Sequence, residues 1–228
     1  MSMNKDARPL LEQIAAAYEA MTSYSDAGCV SQRLQPDDPE LRTEFSTLYA
    51  EPNLLRFEFS RTHPYAPLRH IVTRHVIGFD GFGAYALRQE HDMPPTLQTR
   101  RDLSHAVAGS AGISSGSAHN IARLLLPEVE GLSILDLVDP RLIDDVPVDG
   151  AVCHRVRAHL PKGGVRELFF ERDSLLLRRI LTIGEKMTTD EIRRDIRVNQ
   201  PIDDALFIIE SPDFPSIYAP ELHAPKRP

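Results

Sequence analysis

The residues best suited to chemistry gather around one loop. Gly112-Ile-Ser-Ser-Gly116 matches the pattern of a nucleophile elbow, with Ser114 at its centre. Asp102, His105 and His119 lie nearby in the chain. Asp102 and His105 are three apart and face each other if their segment is helical. A Ser-His-Asp set there would make a serine hydrolase. The elbow, however, needs a strand before its serine, because the sharp turn from strand into helix exposes the hydroxyl. A helical pattern precedes Ser114 instead, and a match inside a Gly/Ser-rich run arises easily by accident. A capping acid and a surface imidazole account for Asp102 and His105 without catalysis.

The other reactive groups are scattered. His63, His70, His75 and His91 share no ligand spacing, and His70 and His75, an odd number apart on one expected strand, point to opposite faces. The acidic pairs Asp37-Asp38, Asp144-Asp145 and Asp203-Asp204 sit near Pro or strand ends, where turn chemistry explains them. There is no EF-hand loop, P-loop or GxGxxG, and no cofactor or metal is implied. Cys29 and Cys153 belong to no CxxC. They could form one disulfide in an oxidising compartment or stay as two unlinked thiols. Alternation places both on the more polar face of their strands.

Composition narrows the field further. The chain has 228 residues, 42% of them hydrophobic and 26% charged, enough for one large domain or two small ones. With 26 Lys and Arg against 33 Asp and Glu, its net charge is −7. The basic residues form pairs rather than blocks, so the footprint of a nucleic-acid binder is missing. No apolar run is long enough for a spanning helix. The N-terminus enters a helical pattern directly, without the apolar stretch of a secretory signal, so the sequence as given reads as cytoplasmic or as lacking its signal.

Several elements must position these groups. Residues 9–22 predict a helix: Pro9 suits its first turn, and Leu10, Leu11, Ile14, Ala17, Tyr18 and Met21 make one apolar face. Residues 41–50 alternate, with Thr43, Phe45, Thr47 and Tyr49 on one face. After the Pro52-Asn53 turn, Leu55, Phe57 and Phe59 alternate with Arg56, Glu58 and Ser60. This predicts an antiparallel hairpin with one buried and one solvated face. Residues 68–77, then Asp80-Gly81, then Phe82 to Leu87 extend the meander. Residues 99–109 and 117–127 have helical spacing and flank the Gly/Ser-rich loop. Strands resume at about 141–147, 151–160, 164–171, 175–183 and 191–199, the last with Ile192, Ile196 and Val198 on one face. From Ser211 the chain is a Pro-rich tail. The order is one α+β domain over 1–210 with a helical insertion at about 99–127, and a tail at 211–228.

Phe45, Tyr49, Phe57, Phe59 and Tyr85 all fall at expected inward positions. Read on the residues alone, they favour an ordinary core over the lining of an apolar cavity, and both readings stand.

The stretch Thr43 to Phe59, TEFSTLYAEPNLLRFEF, resembles the second and third strands of LolA-like proteins, the periplasmic lipoprotein carriers and their relatives of the DUF2092 type. Asp80-Gly81 followed by Tyr85, Gly150-Ala-Val-Cys-His-Arg-Val156, Leu175 to Ile180, and the opening helix ending in Tyr24-Ser-Asp fit the same pattern. The resemblance covers most of residues 8–210. It implies a large, strongly curved antiparallel sheet, an open half-barrel, wrapped round a few helices. It also implies an internal apolar cavity that binds a lipid or acylated peptide without catalysis, in the periplasm or cell envelope. By this resemblance Leu103, Val107, Ile121 and Leu125 lie on covering helices, joined by a hinge or lid. Phe45, Tyr49, Phe57, Phe59, Ile71 and Tyr85 then line the cavity. The partner is an apolar small molecule or acyl chain, with an envelope protein as a further candidate. The rival readings are a structural or protein-interaction module and the Ser114 hydrolase.

Overall fold

A computed structural model describes residues 5–35, 38–62, 65–68, 70–91 and 93–209. A short strand β1 (Lys5–Asp6) leads into helix α1 (Arg8–Glu19). A meander follows: β2 (Ser23–Arg33), β3 (Leu41–Ala50), β4 (Leu54–Thr62), β5 (Val72–Phe79), β6 (Ala84–Glu90) and β7 (Thr96–Arg100). Two short helices, α2 (Leu103–Ser110) and α3 (Ser117–Leu125), come next. A second meander completes the chain with β8 (Val138–Val148), β9 (Ala151–His159), β10 (Val165–Glu171), β11 (Leu177–Ile183) and β12 (Thr188–Val198).

These strands form one antiparallel sheet of 12 strands in the order β1-β8-β9-β10-β11-β12-β2-β3-β4-β5-β6-β7. The two meanders are joined where β12 pairs with β2. The sheet does not close: β1 and β7 are its edges. It is an open, curved half-barrel whose concave face is covered by the three helices. Helix α1 buries Leu11, Ile14 and Tyr18 against that face, as its three- and four-residue spacing requires.

Four local expectations change. The helical insertion begins at Leu103, not near 99: Thr96–Arg100 is an edge strand pairing Arg100 with Ala84. Every residue of β7 is exposed, so it has no apolar face for alternation to reveal. Asp102 caps the helix behind it by accepting the His105 N–H at 2.9 Å. The strand expected at 68–77 starts only at Val72, after a 3-10 turn at Ala66–Leu68.

The second face of the β3–β4 hairpin, expected to be solvated, is covered. Residues 202–209 cross the convex side of the sheet, where Phe207 is fully buried beside Leu48 and Leu54. Arg56 and Glu58 are buried beneath this segment, and Arg56 donates to the Leu206 carbonyl at 2.7 Å. Burial pulls the Arg56 pKa down while Tyr85 and Glu58 hold it up.

Finally, β12 carries a bulge between Arg194 and Arg197, with Asp195 at φ +52. The bulge resets the alternation. Ile192 pairs with Cys29 on the convex face, while Ile196 and Val198 pack into the interior cluster. Glu191 and Arg193 consequently point inward.

Candidate functional site

The concave face is a floor and the helices are its roof. From the floor come Phe45, Phe57 and Phe59, all 0% exposed; from the roof come Val107, Ile121 and Leu125. They meet in one buried cluster with Tyr49, and Leu103 packs against it half-buried. Phe45 and Phe57 stack at 5.4 Å, and Phe57 and Phe59 lie 5.8 Å apart. In this arrangement the apolar faces of floor and roof fill each other. Two of the expected lining residues lie elsewhere. Ile71 precedes β5 and sits at the rim. Tyr85 is on the opposite, convex face, packed with Val76 and Leu87, its hydroxyl donating to the Phe207 carbonyl at 3.1 Å. The reason is register: Tyr85 pairs with Gly78, and a Cβ on Gly78 would come within 2.8 Å of the Tyr85 hydroxyl. The glycine leaves space for the ring on that side.

One row of inward residues runs across five neighbouring strand pairings: Arg193, Gly28, Phe45, Phe59, His75 and Arg88. The Arg193 guanidinium lies 4.7 Å from the centre of the Phe45 ring, and Phe59 stacks on His75 at 4.7 Å. Gly28 makes the first approach feasible, since a Cβ there would stand 2.5 Å from the Phe45 ring. Apolar surface thus ends at a cation on each side.

Sequence reading missed the inner cation. Arg193 is fully buried and donates to Asp26 Oδ2 at 2.5 Å, to Glu191 Oε1 at 2.5 and 2.7 Å, and to the Ser117 carbonyl at 2.9 Å. Burial alone would lower its pKa, but Glu191 and Asp26 outweigh that and raise it. Tyr24 donates to Asp26 at 2.6 Å, and its own pKa is pushed up by burial and that carboxylate. Asn120 donates to Glu191 at 2.7 Å, and Ser115 donates to Gln32 at 2.6 Å. These bonds tie the Gly/Ser loop and the start of α3 to the floor. Only the bulge at Asp195 places Arg193 inside, and alternation gives no sign of it.

Two clefts open where roof and floor part. One, about 530 Å³, lies between Tyr49 and Leu125 and is rimmed by Glu19, Glu51 and Glu128. The other, about 500 Å³, lies under Ile113 at the tip of the Gly/Ser loop, over Ile71 and His75, with Arg61, Arg88 and Glu90 around it. Both volumes fall in the usual range for small-molecule sites. His75 is held at a pKa of about 4 by burial, with Arg88 and Arg61 adding to the shift, so it is neutral at neutral pH. At this same end Leu34, Tyr65, Met93 and Leu97 are more than half exposed.

The remaining candidates separate. Ser114 is fully buried and donates to the Ala111 carbonyl at 3.4 Å. His105 bonds Asp102 at 2.8 Å, and His119 faces the Glu130 carbonyl at 3.1 Å. Among the described hydrogen bonds, none joins Ser114 to either imidazole. Cys29 and Cys153 are both free and buried, which overturns the disulfide. Cys29 is on β2 and Cys153 on β9, with β12, β11 and β10 between them. Four inter-strand steps amount to roughly 19 Å along the sheet, while a bridge needs Cα atoms within about 7 Å. No group of His, Cys, Asp or Glu that could hold a metal occurs among the described residues. No helix among them is long and apolar enough to cross a membrane.

No protein-family model and no curated protein matches the chain. Solved structures do. LprF from Mycobacterium bovis is 11% identical with a TM-score of 0.54, covering 86% of this chain and 94% of its own. The lipoprotein LppX from Mycobacterium tuberculosis is 13% identical with a TM-score of 0.49, covering 86% and 97%. A DUF1329 family protein from Desulfovibrio piger is 13% identical with a TM-score of 0.41, covering 90% and 98%. At 11% identity the likeness to LprF is one of fold alone.

Proposed function

We propose that the protein is a non-enzymatic carrier of an apolar ligand, a lipid or the acyl chain of an acylated peptide, held between the concave face and its helical roof. The observation that carries this reading is the mating of Phe45, Phe57 and Phe59 with Val107, Ile121 and Leu125 across an unclosed sheet, with a cleft at each end of the contact. An alkyl chain offers the floor the same kind of apolar contact that these roof side chains make. The part of the roof on the Gly/Ser loop, α2 and α3, is held to the floor by the Arg193, Asn120 and Ser115 hydrogen bonds as well as by its apolar side chains, so taking up a chain means parting both. The resemblance to LolA-like carriers, the DUF2092 type included, and the LprF fold support the same reading. They also support placing it in the periplasm or cell envelope. No cofactor or residue of catalysis is required.

The test is native mass spectrometry of gently purified protein, followed by lipid extraction, with uptake of a fluorescent fatty acid by the delipidated form. Co-purified acyl species, or saturable uptake, support the carrier. No bound lipid together with no uptake overturns it.

One observation favours a second reading, an interaction module of the envelope. The edge strand β7 offers an unpaired, fully exposed backbone beside the apolar loop end, the arrangement that accepts an added strand from a partner. A stable stoichiometric protein complex that survives substitution of Leu97 by Pro would exclude that edge as its basis.

A further inference from the structure

The two clefts are similar in size and differ in charge, acidic at one end and with a cation in excess at the other, and that difference bears on the orientation of a ligand. Resting on the carrier reading, we propose that the cleft beneath Ile113 is the head-group site for an anionic amphiphile, a carboxylate or phosphate monoester on an alkyl chain, with Arg61 as its charge partner.

The argument starts from register. Arg61 is the inward residue of β4 one step beyond Phe59, flanked across the strands by Thr43 and Thr73. It is half-buried, and among the described residues no carboxylate pairs with it. The neighbouring Arg88 differs: it donates to Glu90 at 2.8 Å and is largely neutralised. The cleft thus holds one cation in excess, next to the Thr73 hydroxyl. A partly desolvated guanidinium without a carboxylate is a ready donor fork for a carboxylate or phosphate.

The apolar part of the ligand has a continuous path from there. Ile71 and Ile113 form walls of the cleft, and the neutral His75 ring stacks on Phe59. Phe59 leads to Phe57 and Phe45 and so into the contact between floor and roof. At the far end the second cleft presents Glu19, Glu51 and Glu128, and among the described residues lining it there is no Lys or Arg. An anionic head is repelled there and attracted at Arg61. The head therefore sits under the loop and the tail runs inward.

The experiment uses the delipidated full chain and displacement of a fluorescent fatty acid by three probes: palmitic acid, its alcohol and inorganic phosphate. The acid should bind more tightly than the alcohol. Arg61→Gln should weaken the acid roughly ten- to a hundredfold, as loss of a charge-assisted hydrogen bond does, and leave the alcohol nearly unchanged. Glu90→Gln frees Arg88 and should tighten the acid, an outcome that misfolding cannot imitate. Equal binding of acid and alcohol, or no response of the acid to Arg61→Gln, overturns the head-group assignment while the carrier stands. Binding of phosphate alone, lost in Arg61→Gln, reduces the cleft to an anion site and overturns the amphiphile. Binding of none of the probes, with no fluorescent uptake, overturns the carrier reading as well.

Discussion

Replacing Arg193 by Met tests the claim that this fully buried cation helps to hold the roof to the floor. The guanidinium is fully buried among Asp26, Glu191 and the Ser117 carbonyl, and the two carboxylates are themselves 3% and 2% exposed. Met keeps much of the volume and removes the charge. Two carboxylates are then left buried without their cation. Breaking such a pair from one side costs about 3–5 kcal/mol, a large share of the roughly 5–15 kcal/mol that holds a domain together. With a urea slope of about 2–3 kcal/mol/M for this size, the unfolding midpoint should fall by about 1–2.5 M. The triple variant Asp26→Asn, Glu191→Gln, Arg193→Met removes the stranded charges and should recover most of the loss. A midpoint shift below about 0.2 M, or a triple variant no more stable than the single one, would refute the reasoning.

Three further outcomes are expected. His75, at a folded pKa of about 4 against an ordinary 6.5, binds its proton more readily when unfolded, so its contribution to stability is present at neutral pH and is lost as pH falls from about 6.5 to 4. Its ring resonances should titrate well below pH 6, and His75→Phe should flatten that limb of the stability profile; a midpoint near 6.5 contradicts the burial argument. Thiol titration under denaturing, non-reducing conditions should find two free thiols, slow to react in the native state because burial raises the pKa of both Cys29 and Cys153; fewer than two restores the bridge. Ligand affinity should show a chain-length threshold. Parting Val107, Ile121 and Leu125 from the floor exposes side chains worth about 1.5–3 kcal/mol each, and an alkyl chain returns about 0.8 kcal/mol per methylene, so roughly six to eleven methylenes are needed before binding gains. Equal affinity for butyric and palmitic acids would mean that the chain does not replace the roof.

Much of the fold was legible because one face of most strands is apolar. In β3 and β4 the alternation of Phe45, Tyr49, Leu55, Phe57 and Phe59 fixes both the strands and the inward direction, since a one-residue slip would move every ring off the floor to the opposite face. The same rule fails where burial comes from both sides. Arg56 and Glu58 read as a solvated row because nothing local announces that residues 202–209, about 150 positions later, will lie over them. Tyr85 lies on the opposite face from the one its pattern suggests for a related reason: the segment that covers it is the same distant one. An edge strand such as β7, exposed throughout, leaves no period at all.

The apolar half of the candidate site could be read from the chain, and its polar half could not. Phe45, Phe57, Phe59, Val107, Ile121 and Leu125 announce themselves by type and spacing. Arg193 and Glu191 look like ordinary outward charges on an alternating strand, and one bulged residue reverses them. Arg61 is hidden differently, as a charge that terminates an apolar row at the sheet's open end. Both arginines adjoin the aromatic floor, Arg193 over Phe45 and closed off by Asp26 and Glu191, Arg61 following Phe59 along β4 and left without a carboxylate among the described residues. An apolar floor with one satisfied and one unsatisfied cation beside it has a direction. Under the proposed carrier reading, that direction suits a molecule with a charged end and an apolar end rather than oil alone.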